Sequence, residues 1–352
     1  MMRLPPRWVR RLVLAPLAVV LAVVMLLLSP VWLLVTLLLD PLGRGHLRLA
    51  RLLWMVTYYL LWDALALVAL LGLWVGSGFG LALRTPRFQR AHYVLVGWFL
   101  RRLFLQARWT LRLRIRRSGQ DPDAVPTGVP VIVASRHAGP GDSLILVHAL
   151  TNVLAREPRI VLKDTLQWDP AIDVMLNRLP STFVAARPDA DRPVGPGGVA
   201  AQIADLARGL DDNDALVIFP EGGNVSAERR ARRIHSLRRA GLGHLADRAE
   251  RLLHVMAPRP GGLFAAIDAA PDAGVVFVAH TGLERLVTIG DIWRELPMDK
   301  QITMVSWWVP PGQVPDDPDA RLDWLYGWWE RIDAWIEDRR PREDRLGETA
   351  GS

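Results

Sequence analysis

Leu12 to Leu39 form 28 consecutive positions without a charged side chain. As an α-helix, at about 1.5 Å per residue, such a run reaches roughly 42 Å, more than a hydrocarbon core of about 30 Å. A signal peptide has a shorter apolar stretch and a small-residue cleavage site, and this run has neither, so a membrane anchor is expected. Ser29-Pro30 interrupts it, where proline removes a helix hydrogen bond and kinks the run or turns it back. A second run from Leu52 to Val75 is broken only by Asp63. Two such runs predict a helical hairpin over 12–39 and 52–75 within an anchor of residues 1–83. A carboxylate in lipid is costly, so Asp63 is expected to face the partner helix or the interface, as a tolerated polar residue without a role.

Arginines orient the hairpin. Arg3, Arg7, Arg10 and Arg11 precede it, and Arg84 to Arg117 carries ten Arg and no acid. Both flanks therefore read as cytoplasmic. The connector is also basic, with Arg44, Arg48 and Arg51. Two arrangements fit: a spanning hairpin with a basic outer turn, or one that dips into a single leaflet. Arg84 to Gln106 mixes Arg, apolar residues and Trp98, which suits a helix at the headgroups as well as an ordinary solvated helix. Leu111 to Arg116 alternates strictly, the period of a half-buried strand.

The whole-chain balance agrees with a phosphate-rich environment. Net charge is +7, with 43 basic residues against 36 acidic ones. That fits an anionic membrane surface or nucleic acid. The chain shows no nucleic-acid reading motif, so no nucleic-acid partner is expected. It has no cysteine, which excludes disulfides, thiolate zinc sites and a cysteine nucleophile. No metal spacing such as H-E-x-x-H, no P-loop and no dinucleotide fingerprint occurs. Ala227 to His254, with eight Arg and three acids, reads as a solvated helical arm, and residues 341–352 as a disordered tail.

From Gly119 the pattern becomes that of an α/β domain, expected over 84–340. Val129 to Ala134 reads as a buried strand running into Ser135-Arg136-His137-Ala138-Gly139-Pro140-Gly141-Asp142, and Ser143 to Leu150 as a helix. His137 then sits at the carboxyl end of a strand, where open α/β sheets place ligands. The tight Gly-Pro-Gly turn can fold Asp142 back to the imidazole. A carboxylate on one ring nitrogen fixes the tautomer, which frees the other nitrogen to remove a hydroxyl proton. Two readings of the pair stand: a catalytic dyad, or a turn histidine beside a helix cap. Asp214 to Phe219 reads as another strand, ending in Pro220-Glu221-Gly222-Gly223-Asn224, a loop whose amides suit an oxyanion. Between them Arg187 ends an apolar stretch, as a phosphate-holding guanidinium or a surface ion pair.

The order H-x-x-x-x-D, an Arg-terminated segment, then F-P-E-G resembles the glycerolipid acyltransferases, whose best-known members are the 1-acylglycerol-3-phosphate acyltransferases. The resemblance implies an acyltransferase-type sheet flanked by helices behind the membrane hairpin. It implies His137 as base and Asp142 as its orienting partner. It also implies Arg187, Pro220, Glu221 and Gly222 at the acceptor's phosphate. Lys163-Asp164-Thr165-Leu166 resembles the family's K-x-E-L block, with Thr165 where Glu is usual, and adds Lys163. Val275 to Ala279 resembles the last core strand. Arg239-Ala240-Gly241-Leu242, His254 to Arg259, Gly261-Gly262-Leu263 and the Trp-rich end at Trp324 to Trp329 resemble the longer lysocardiolipin-acyltransferase branch.

The implied reaction moves an acyl group from a soluble thioester, acyl-CoA or acyl carrier protein, to a lysophospholipid hydroxyl, with no cofactor, at the cytoplasmic face of a membrane. Alternatives are a catalytically silent lipid-binding membrane protein and a transacylase that needs no thioester. The chain departs from the family pattern at Arg136, where Asn is usual, at Ser181 and Val184 in the second motif, and at Gly223-Asn224, where Thr-Arg is usual. The last change removes a cation expected beside the acceptor phosphate, which Arg136 or Arg229 could replace by folding in.

Overall fold

The structure, a computed structural model, describes residues 4–40, 47–117, 125–139, 141–184, 198–282, 293 and 301–339. It is mixed α/β, with seven strands among the described residues. Two compact units divide the chain. One comprises Met1–Arg114, Leu146–Gly195 and Thr288–Lys300; the other comprises Ile115–Ile145, Pro196–Val287 and Gln301–Ser352.

In the first unit, helix α1 (Arg7–Leu27) is followed by α2 (Ser29–Leu39). The break falls at Leu28 because Pro30 has no N–H for the carbonyl four residues back. Helix α3 (Arg48–Gly76) returns against α1 and α2, and α4 (Pro86–Leu111) packs on α3. The expected hairpin is present, though both α1 and α3 begin earlier than their uncharged runs. Apolar side chains such as Leu17, Val20, Leu27, Leu34 and Leu38 are exposed along α1 and α2. An apolar face of that extent belongs against lipid or another protein.

Polar contacts pin these helices to the rest of the unit. Arg10 is buried in α1 and donates to Asp173 Oδ1 from Nε at 3.1 Å and from Nη2 at 2.7 Å, and to Gln167 at 3.0 Å. Asp173 lies in α6 (Pro170–Leu176). Along α3, Arg51 donates to the Thr110 carbonyl at 2.6 Å, the Tyr59 hydroxyl to Asp169, and Arg178 to the Leu70 carbonyl at 2.8 Å. Asp63 is buried, as expected of a carboxylate that must avoid lipid. The same unit holds β3 (Glu157–Lys163), β4 (Ser181–Val184) parallel to it, and a 3₁₀ stretch, Asp164–Trp168, leading into α6.

The second unit carries β1 (Arg114–Arg117), β2 (Val131–Ser135), β5 (Asp214–Ile218), β6 (Gly274–Thr281) and β7 (Gln301–Val309), ordered β1-β7-β6-β2-β5. The central strand β2 runs parallel to both β5 and β6, with Ala134 beside Ile218 and Phe277, and β7 closes antiparallel on β6. Strands β2, β5 and β6 are buried at every position, which explains their unbroken apolar sequence. The alternation read from Leu111 starts as a strand only at Arg114, because α4 continues through Leu111 and turns at Arg112 with φ 54°.

Helix α5 (Gly141–Asn152) follows β2. Helices α7 (Gly198–Ala207) and α10 (Pro260–Ala269) pack so closely that a side chain at Gly262 would lie 2.8 Å from Ile203. The C-terminal helix α11 (Pro318–Arg339) covers β6, stacking Trp328 on Phe277 at 4.6 Å between ring centroids. The basic segment read as one solvated arm is two helices, α8 (Ala227–Arg239) and α9 (Gly243–Arg251). Their Leu237, Leu245, Ala246 and Ala249 form a small core with Tyr326 of α11. The arm is thus solvated on its arginine face only.

Candidate active site

The site is built where β2 and β5 end side by side. β2 delivers Arg136 and His137 at its carboxyl end, and α5 begins at Gly141, so Asp142 stands in its first turn. The imidazole Nδ1 lies 3.3 Å from Asp142 Oδ2, the dyad expected from the spacing. The Gly139 amide donates to the same oxygen at 2.7 Å, which fixes the carboxylate's rotamer. Both side chains are buried. Burial opposes a charge on Asp142. The hydrogen bond with His137, the proximity of His280 and the Gly139 amide outweigh it and hold the carboxyl below its ordinary range. The arrangement fixes one face of the imidazole and leaves Nε2 for chemistry.

β5 ends one residue before Phe219, whose ring lies 4.6 Å from the His137 ring at 34°. This aromatic neighbour was read only as part of a motif; a ring immediately before Pro-Glu-Gly is the signal that marks it. Pro220 and Glu221 are buried. Glu221 Oε1 accepts the His137 amide at 3.0 Å and Oε2 accepts the Met256 amide at 3.1 Å. Its two oxygens therefore tie the catalytic loop to the segment before α10. Burial pushes its carboxyl up to about 7, against the pull of the Arg136 guanidinium and the two amides. The motif's glutamate thus braces the His137 backbone, with one amide on each oxygen.

The brace continues outward. Asp333 of α11 accepts the amides of Leu253, His254 and Val255 at 3.0, 2.6 and 3.2 Å. A path of carboxylate-to-amide bonds thus runs from the C-terminal helix through residues 253–256 and Glu221 to His137. Arg136 belongs to the same frame. It is buried and donates to the carbonyls of His280 at 2.7 Å and His254 at 3.3 Å. Its guanidinium holds these two carbonyls and also draws on the Glu221 carboxylate.

The loop after Glu221 has the shape expected of an oxyanion cradle. Gly222 and Gly223 have φ of 70° and 154°, a region closed to most side chains. A Cβ on Gly222 would lie 3.3 Å from Arg259 Nε, and one on Gly223 would collide with Arg229 Nη1. Arg229 also donates to the Asn224 carbonyl at 3.3 Å. Two guanidiniums therefore flank the glycines. Arg229 was foreseen as a replacement; Arg259 was not, since it lies 37 positions beyond Gly222 and reaches the loop through its amide bond to the Pro220 carbonyl at 2.8 Å. Among the described residues, nothing donates to the buried Asn224 Oδ1.

Lys163 ends β3 in the first unit and is exposed. Arg187, Pro140 of the turn and the tail from residue 340 lie outside the described residues. Among the described residues, no cluster of three His, Asp or Glu side chains has the arrangement of a metal site.

This strand-turn-helix with its imidazole–carboxylate pair and glycine loop lies within a segment that matches a known family. Residues 116–281 match the Acyltransferase family model. The chain's fold is similar to that of the 1-acyl-sn-glycerophosphate (LPA) acyltransferase PlsC from Thermotoga maritima, at a TM-score of 0.50 and 13% identity, over 84% of this chain and 99% of that one. No curated protein sequence matches it.

Proposed function

We propose that the protein transfers a fatty acyl group from a thioester, acyl-CoA or acyl carrier protein, to the free hydroxyl of a lysophospholipid at a membrane surface. The observation that carries this reading is the His137–Asp142 pair, 3.3 Å apart and framed by Glu221. His137 Nε2 takes the hydroxyl proton as the oxygen attacks the thioester carbonyl. The C–S bond breaks, and the leaving thiolate takes the proton from the imidazolium. No covalent acyl-enzyme is required. The acceptor's phosphate is assigned to the Gly222-Gly223 cradle with Arg229 and Arg259 as its cations.

The apolar helices supply the membrane contact, and a hairpin dipping into one leaflet is favoured over a spanning one. Polar contacts hold α3 from Arg51 to Leu70, about 28 Å of helix at 1.5 Å per residue, against other parts of its unit. A span would bring those partners into hydrocarbon. The chain has no native cysteine, so Gly45→Cys gives a clean probe. In intact cells it should escape an impermeant thiol reagent; labelling would restore the spanning hairpin.

The functional test is thiol release from acyl-CoA by purified protein with a panel of lysophospholipids. Product formation without acyl-CoA would make it a transacylase. No product with any donor, alongside lipid binding, would make it a silent lipid-binding protein.

A further inference from the structure

Asp142 does not serve His137 alone. His280 of β6, itself buried, places Nε2 3.5 Å from the Asp142 Oδ2 atom that faces His137. One carboxylate oxygen thus stands between two imidazoles, with the Gly139 amide as a third neighbour. The sequence offers no reason to expect this. His280 lies 138 positions after Asp142, on a strand whose pattern is simply apolar. Its position is nonetheless tightly fixed. β6 pairs with β2 on one side and with β7 on the other, and the Arg136 guanidinium grips the His280 carbonyl at 2.7 Å.

We infer that His280 tunes His137 through the shared Asp142 oxygen: its imidazole draws charge from that oxygen and so weakens the hold of Asp142 on the His137 ring. This deepens the acyl-transfer reading and rests on it for the kinetic part only. The chemistry is general. A carboxylate stabilises a neighbouring imidazolium in proportion to the negative charge it presents, and a second imidazole held 3.5 Å from the same oxygen screens that charge electrostatically. The ionisable groups around the pair are His137 and Arg136 after β2, Asp142 in α5 and Glu221 after β5. Removing His280 leaves all of these in place. His280 is therefore a tuning residue acting through Asp142, and it touches no substrate in this scheme.

The experiment compares wild type with His280→Phe and His280→Asn, the second a small polar side chain too short to reach Asp142. Circular dichroism and Tm establish folding. In kcat/KM measured from about pH 5 to 9, the acid limb should move up by on the order of one pH unit in both variants. The plateau kcat should stay within about threefold and KM within about twofold. A purely structural defect would instead lower the plateau and leave the limb in place. Independently of turnover, the downfield Nδ1–H proton of ¹⁵N-labelled His137 should move further downfield in either variant, as Asp142 turns its full charge on that bond. A folded variant with an unmoved limb and an unmoved resonance overturns the inference. If wild type proves inactive with every lysolipid, the acyl-transfer reading fails, and the resonance alone still decides the role of His280.

Discussion

The two units use buried charge for opposite purposes. In the helical unit, a cation meets an anion: Arg10 and Asp173 are both buried and face each other at 2.7 Å. In the catalytic unit, the buried carboxylates of Glu221 and Asp333 meet backbone amides instead. An ion pair joins two elements at a point and holds an apolar helix that would otherwise bind its unit only weakly. A carboxylate over amides holds loops, whose backbone groups have no ladder to satisfy them.

The largest expected effect falls on the base. His137→Ala should lower kcat by on the order of 10² to 10⁴ while leaving Tm and membrane binding unchanged. Asp142→Asn should be severely impaired as well, since an amide at that position favours the wrong imidazole tautomer. Near-normal turnover in folded His137→Ala would remove the mechanism and, with it, the reason for the carboxylate frame.

The anchoring pair comes next. Arg10→Met should cost about 3–5 kcal/mol, because Asp173 is then a buried charge without its main partner. The double variant Arg10→Met/Asp173→Leu should recover much of that loss, as replacing both charges with apolar groups does elsewhere. Thermal unfolding of the four proteins in a mutant cycle measures it. Equal losses in single and double variants would show that the pair is not what pins α1 to α6.

Legibility in the sequence follows the distance between partners. The hairpin, the strand ends, and the H-x-x-x-x-D and F-P-E-G motifs were readable because each is a local pattern, and the His137–Asp142 contact spans five positions. Arg10 was readable only as a topology signal; its partner Asp173 is 163 positions away, in a helix too short to carry a period. The F-P-E-G motif names Glu221 without naming its hydrogen bonds, so its tie to the His137 and Met256 amides was not legible. Its partner at Met256 lies in a segment recognised only as a resemblance. The helix-to-strand change at Arg112 was misplaced because Leu111 to Arg116 alternates in sequence, while α4 packing holds the first of these residues in helix.

Glu221 sharpens the contrast by pH. With its carboxyl pushed up to about 7, the folded state binds a proton more tightly than the unfolded chain does. Its contribution is therefore most favourable below the ordinary glutamate range and is lost as pH rises through about 7. Glu221→Gln keeps one acceptor and loses the other, leaving a buried amide unsatisfied at a cost of about 1–3 kcal/mol. The variant should unfold at lower temperature throughout, with a flatter decline in Tm between about pH 5 and 8. An unchanged slope would mean that Glu221 does not titrate across that range.

The smallest effect expected is at the glycine loop, where the charges are exposed. Arg229 is exposed and, among the described residues, its guanidinium donates to the Asn224 carbonyl, so its bond to an acceptor phosphate is screened by water. Arg229→Gln should therefore raise KM for the lysolipid by no more than about fivefold, roughly 1 kcal/mol, and leave kcat alone. A phosphate monoester carries about −1.5 to −2 charges near neutral pH, against one for a diester. The loss should thus be greater for lysophosphatidic acid than for lysophosphatidylglycerol. Asn224→Arg, which restores the usual cation, should shift kcat/KM the other way, toward lysophosphatidic acid. If Arg229→Gln instead depresses kcat for both acceptors equally, the arginine supports the loop's shape beside Gly223. The phosphate would then be held by Arg259 and the loop amides.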